Sequence, residues 1–233
     1  MSINKFLKRK SLLPSATPPV GGLFAHYAFE DNANDETGSH NGTATAITYN
    51  ATGYVGKSAI FNNTTSKIVI PDNAAFSFTD GTNDLPFTFR FMAKFYAISS
   101  NVLFVSKAGA GGWEWDFSST TANLFKIRLA SLGSISNTIG RQISYTPALN
   151  TWIEFVITYD GSQVNSGLKI YIDKVLQATT GANSGTTYVK MNSTPQDVLI
   201  GKYDPNTTYT MDGEMDEVKF FNTELSQSEI DLL

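Results

Sequence analysis

The chain has no cysteine and only two histidines among its 233 residues. That absence excludes disulfide frameworks, zinc–thiolate sites, iron–sulfur clusters and cysteine nucleophiles together, while leaving the redox compartment open. Charge is scarce too. Asp, Glu, Lys and Arg make up 16% of the chain against an average near ~25%, so charge-driven disorder does not describe its bulk. No apolar run approaches the roughly 18 residues of a membrane span. A Gly-x-Ser-x-Gly elbow and a metalloprotease helix are missing. The glycine-rich stretch Gly109-Ala110-Gly111-Gly112 lies between strand-like segments and not before a helix, so it is no phosphate cradle. His26 sits in an apolar stretch and His40 in an Asp/Gly loop; the pair makes no Ser–His–Asp set.

What is present is apolar and aromatic: 41% hydrophobic and 12% Phe, Trp and Tyr, enough for a full core without disulfides or metals. Its period is two. Phe87, Phe89, Phe91, Ala93 and Phe95 alternate with Thr88, Arg90 and Lys94, and Trp113, Trp115 and Phe117 alternate with Glu114 and Asp116. Phe125–Leu129 repeats the device, and further strands are expected over 67–70, 101–106, 151–159, 168–173, 197–200 and 213–221. Turn clusters such as Asp80-Gly81 and Asp160-Gly161 separate them. Ser226-Gln-Ser-Glu229 is a capping box opening one short C-terminal helix. The expectation is one all-β antiparallel β-sandwich over residues 21–233, preceded by an arm over 1–20.

The arm carries Lys5, Lys8, Arg9 and Lys10 and no acid; all 21 acidic residues follow it. Only Leu12-Leu13 precede Pro14, against the roughly 7–15 apolar residues of a secretory core, so the segment does not read as a signal peptide. Pro18-Pro19 favours a stiff extended spacer. The reading is a partner-binding arm that uses Ile3, Lys5, Phe6, Leu7, Lys8, Arg9 and Lys10, docking by strand addition or groove burial. An acidic domain behind a short basic arm does not suit nucleic acid.

An ordered set of landmarks then carries a resemblance. Phe24–Phe29 is followed by Asp31, Asp35-Glu-Thr-Gly38 and His40-Asn-Gly42, then by Gly53–Phe61 and Ile68–Pro71. Later come Asn150-Thr-Trp152, Val156–Gly161, Leu168–Asp173, Ile200-Gly201 and Gly213-Glu-Met-Asp-Glu-Val-Lys-Phe-Phe-Asn222. Over about residues 22–233 this resembles the laminin-G-like, concanavalin A-like lectin/glucanase domain, which implies a two-sheet antiparallel jelly roll with a short C-terminal helix. One departure is Lys174 after Asp173, where the family places glycine, so that hairpin is expected to be built differently.

The resemblance directs attention to carboxylates. Retaining glucanases of this fold are similar in a strand with Glu-x-Asp-x-Glu. Here strict alternation puts Glu214, Asp216, Val218 and Phe220 on one face and Glu217 on the other, which breaks that pair, so no catalytic residue is assigned. Asp216 then reads as an inward carboxylate that needs either an ion or several donors. The resemblance implies a structural calcium held by Asp31, Asp35 and Asp216; the other reading is amide hydrogen bonds to Asp216 with no ion. Trp113, Trp115 and Phe117 read as core wall, and Tyr203, Tyr209, Asp204 and Asn206 as loop residues for glycan stacking, with Tyr145 beside them.

The function expected is therefore non-enzymatic: a virion-associated decoration protein, anchored to a capsid or tail by residues 1–20, exposed on the virion surface and displaying a sandwich for surface glycans. The alternative is a carbohydrate-binding module of an extracellular or cell-surface system, with a glycoside hydrolase a distant third.

Overall fold

The computed structural model describes residues 21–98, 101–121, 123–132, 134–185, 187–203 and 210–233. Period-two segments become strands throughout. The chain runs through β1 (Leu23–Tyr27), β2 (Thr43–Thr45), β3 (Thr48–Asn50), β4 (Ser58–Asn62), β5 (Lys67–Ile70) and β6 (Phe87–Ala97). There follow β7 (Val102–Gly109), β8 (Gly112–Thr121), β9 (Leu124–Ser131), β10 (Ser134–Ser144) and β11 (Trp152–Tyr159). The chain closes with β12 (Leu168–Ile172), β13 (Val175–Leu176), β14 (Thr180–Gly181), β15 (Val198–Ile200), β16 (Asp212–Phe221) and α1 (Gln227–Ile230). The arm expected over 1–20, with all its partner-binding residues, lies outside the described residues.

Two antiparallel sheets form. The first has the order β13-β12-β11-β6-β16-β4-β3, with β1 also on β16; the second runs β14-β10-β9-β8-β7-β15-β5-β2. Their inner faces meet in an aromatic core. Phe89 stacks on Trp115 at 5.6 Å and Phe91 on Phe155 at 5.3 Å, geometries that add to the area burial. Trp115 is fully buried and donates its indole N–H to the Phe76 carbonyl at 2.8 Å.

The outer face of the first sheet is largely covered. Ile230 of α1 packs with Leu225, Val156, Tyr171 and Phe221 over one part of it. The cap is as expected: Ser226 and Glu229 make both capping-box bonds. Elsewhere on that face Tyr54 lies over Arg90, 5.9 Å from guanidinium to ring centre, and edge-on to Trp152.

Three local features differ from simple alternation. β10 is a full strand that its mixed polar sequence hides. The turn after β12 is the tight two-residue hairpin after all: Asp173 and Lys174 sit at φ 47° and 66°, and Ile172 pairs with Val175. The Lys174 ammonium donates to the main-chain oxygens of Asp231 and Leu233, at 3.2 and 2.8 Å, and so ties this turn to the segment after α1. Third, β16 carries a bulge between Asp216 and Lys219, with Glu217 at φ 53°. One extra residue shifts the alternation. Met215, Val218 and Phe220 therefore face the core, while Glu214, Asp216, Glu217 and Lys219 share the outer face.

Candidate functional site

The bulge overturns the expectation that Glu214 and Glu217 stand on opposite faces, but each carboxylate is already committed. Glu214, fully buried, accepts from Ser58 at 2.5 Å and Asn50 at 3.1 Å, from the Tyr96 hydroxyl, and from Lys94 at 2.5 Å. Burial acts to raise its pKa; these donors more than offset that and lower it. Glu217 is bound by His26 at 3.2 Å and Lys219 at 2.6 Å. Burial raises it as well, and those two partners bring it down to about 2. Neither keeps a proton to donate near neutral pH, which a general acid must do.

The aspartates expected to share an ion are not brought together. Asp35 is saturated by the amides of His26, Thr37, Ser39 and His40 and by the Thr37 hydroxyl. Asp31 pairs with Lys57 at the surface. Asp216 accepts the Val55 amide at 2.9 Å and the Glu217 amide at 2.7 Å. Among the described residues no group of three or more His, Cys, Asp or Glu is placed to hold a metal.

The outer face of the second sheet offers a different arrangement. Trp113, Asp116 and Ser118 come from β8, and Arg128 and Lys126 stand opposite the latter two on β9. Asp116 is fully buried and organises the group. It accepts the indole N–H of Trp113 at 2.9 Å, two N–H bonds of Arg128 at 3.0 and 3.1 Å, and the Ser118 hydroxyl at 2.6 Å. One carboxylate thus fixes both the plane of an indole and a guanidinium fork, the strong bidentate geometry of this pair. Arg128 also lies 5.2 Å from the Trp113 ring centre. Tyr203, just past β15, packs against the same indole, its ring 5.2 Å from that of Trp113 and tilted by 37°.

Trp113, Ser118, Lys126, Arg128 and Tyr203 line a cleft of about 470 Å³ together with Asn101, Thr120 and Ile135, and Asp116 lies buried beneath them. The aromatic stripe therefore divides. Trp115 and Phe117 are core wall as expected, whereas Trp113 belongs to the surface cleft, because the ladder between β7 and β8 is irregular between Lys107 and Ala108. Of the loop residues expected to stack on sugar, Tyr203 joins this cleft; Asp204, Asn206 and Tyr209 lie outside the described residues. Tyr145 packs against Phe125 and Phe155 at the core edge. Sequence reading missed Asp116, Lys126 and Arg128. Their signal was available: on two expected neighbouring strands, polar residues alternate with core aromatics.

Comparison with known proteins agrees with this architecture. The family model described as the Concanavalin A-like lectin/glucanases superfamily matches residues 62–231. Among solved structures, domain 4 of AbnA, a GH43 extracellular arabinanase from Geobacillus stearothermophilus, in complex with arabinotriose, superposes with a TM-score of 0.65. Identity is 18%, over 91% of this chain and 98% of that one. Botulinum neurotoxin type C, whose cell entry is dependent upon interaction with two ganglioside molecules, gives 0.67 at 14% identity, over 91% of this chain and 50% of that one. The binding domain of Paraclostridial Mosquitocidal Protein 1 gives 0.66 at 17%, over 91% and 51%. This chain spans about half of the two toxin chains. No curated protein matches at a comparable level of significance.

Proposed function

Because the chain belongs to the Concanavalin A-like lectin/glucanases superfamily, we propose that it is a non-enzymatic glycan-binding domain whose site is the Trp113–Tyr203 cleft. The observation that carries this reading is the indole of Trp113, locked by Asp116 beside Arg128 in an open cleft. A pyranose has an apolar C–H face and a rim of hydroxyls. It needs a flat aromatic surface for the first and fixed polar groups for the second. Both stand here before any ligand arrives, so little side-chain freedom remains to be lost on binding. One structural relative is in complex with arabinotriose and another enters cells through interaction with gangliosides, which supports a sugar as the ligand class.

Removing the indole should remove most of the affinity. Trp113→Ala is expected to weaken glycan binding about thirtyfold, the effect of losing an aromatic anchor at the centre of a site. Titration calorimetry against the best ligand of a glycan panel measures it. A folded wild-type protein that binds nothing on such a panel overturns the reading.

With this goes an anchoring role for residues 1–20 in a larger assembly, a virion capsid or tail or an extracellular surface. It rests on the cations and large apolar residues of that segment. Full-length chain is expected to copurify with one abundant large partner and a chain starting at Gly21 is not. Equal recovery by both ends that proposal and leaves the glycan site untouched.

A further inference from the structure

We infer that the ligand of this cleft is an anionic sugar, a pyranose carrying a carboxylate or sulfate whose charge pairs with Lys126 while its C–H face lies on Trp113. The inference rests on the glycan-binding reading of the same site and deepens it.

The argument starts from charge. Two cations and one carboxylate meet in the cleft, and the carboxylate is taken: both oxygens of Asp116 are bound to Arg128. Lys126 stands one row further along β9. Its cross-strand neighbours are Ser118 on β8 and Gln142 on β10, both uncharged. Among the described residues it has neither an ion pair nor a hydrogen bond, yet it is partly buried. Burial lowers its pKa and the charge of Arg128 acts in the same direction, with Asp116 opposing. An ammonium that is partly desolvated and unpaired gains more from an arriving anion than an ordinary surface lysine does. The cation also faces the same cleft as the indole. One sugar residue can therefore meet both.

The test uses the full chain and three oligosaccharides of equal length, namely a galacturonan, a sulfated galactan and a neutral galactan. One or both acidic ligands are expected to bind at least about tenfold more tightly than the neutral one, the size of one charge-assisted bond. Comparing the two identifies the anion. Raising salt from about 20 to about 500 mM should erase most of the difference. Lys126→Gln should abolish the preference by weakening the acidic ligands far more than the neutral one, and Lys126→Arg should retain it. Neutral binding as tight as acidic, or an acidic preference that survives Lys126→Gln, overturns the inference; in that case a loss of binding in Trp113→Ala shows that the glycan site itself stands. No binding of any of the three overturns the inference, and the glycan panel then decides whether the site itself stands.

Discussion

Lys107→Met lowers the unfolding free energy by about 3–5 kcal/mol, the cost of leaving one member of a buried ion pair without the other. Lys107 and Glu114, on β7 and β8, are both fully buried. The ammonium is 3.0 Å from Glu114, 2.7 Å from Asp72, and donates to the carbonyls of Thr194 and Gln196 at 2.9 and 2.7 Å. Glu114 accepts in addition the Thr194 amide and hydroxyl. Burial nevertheless raises the Glu114 pKa, since the pairing with Lys107 and Thr194 offsets desolvation only in part. Methionine fills the same volume, so the loss isolates the charge from the packing.

The double variant Lys107→Met with Glu114→Gln separates the two contributions. A neutral amide still accepts from Thr194 and carries no uncompensated charge. At least about 2 kcal/mol of the single variant's loss should return, a coupling of the size contacting residues show. Urea unfolding measures both, with the slope checked for constancy. A single-variant loss under about 1 kcal/mol, or a double variant no better than the single, removes the ion pair as the cause. Glu114 follows Trp113 directly in β8, so the same pair also fixes the strand that presents the indole.

How much of this was legible in sequence depends on what sets each feature. The sandwich followed from alternation because one buried face per strand is enforced by the whole core; Phe87, Phe89 and Phe91 could face nowhere else. β10 escaped because Ser136, Asn137, Gly140 and Arg141 interrupt its apolar alternation, and its pairing with β9 supplies what its own residues do not. The bulge at Glu217 is a non-local decision. Val218 and Phe220 both belong to the core, and with Met215 also buried the count closes only if one residue is added. Alternation alone put Asp216 inward with them. The cleft was half visible: Tyr203 was singled out by being a tyrosine in a polar loop, but its partner Trp113 was assigned to the core with Trp115. The irregularity that separates those two indoles depends on β7, and no local pattern in β8 announces it.

The same bulge sets a pH dependence. It places Asp216 and Glu217 side by side on one face and drives their pKa values apart. Burial raises Asp216 from 3.8 to about 6, and the charge of Glu217 adds to it against the backbone amides of Val55, Glu217 and Tyr54. Glu217 is lowered from 4.5 to about 2 by His26 and Lys219, overcoming burial. For Asp216 the folded state holds the proton more tightly, so stability falls as pH rises from 3.8 to about 6. Glu217 acts in the opposite sense. Its contribution is complete above 4.5 and is lost as pH falls toward 2. Asp35 and Glu214, also lowered, steepen that acid limb. Stability due to these groups is therefore greatest near pH 4–5 and declines on both sides, by about 3 kcal/mol on the Asp216 side for a shift of about two units. Asp216→Asn loses an acceptor for one amide and starts less stable at pH 4. Its stability relative to wild type should then rise by about 2 kcal/mol between pH 4 and pH 7, because only the wild type must ionise a buried acid across that range. Urea midpoints measured at half-unit steps give the difference directly. A constant offset between the two proteins would mean that Asp216 ionises as an ordinary carboxylate, and that the Val55 and Glu217 amides alone are enough to hold its charge beneath the loop.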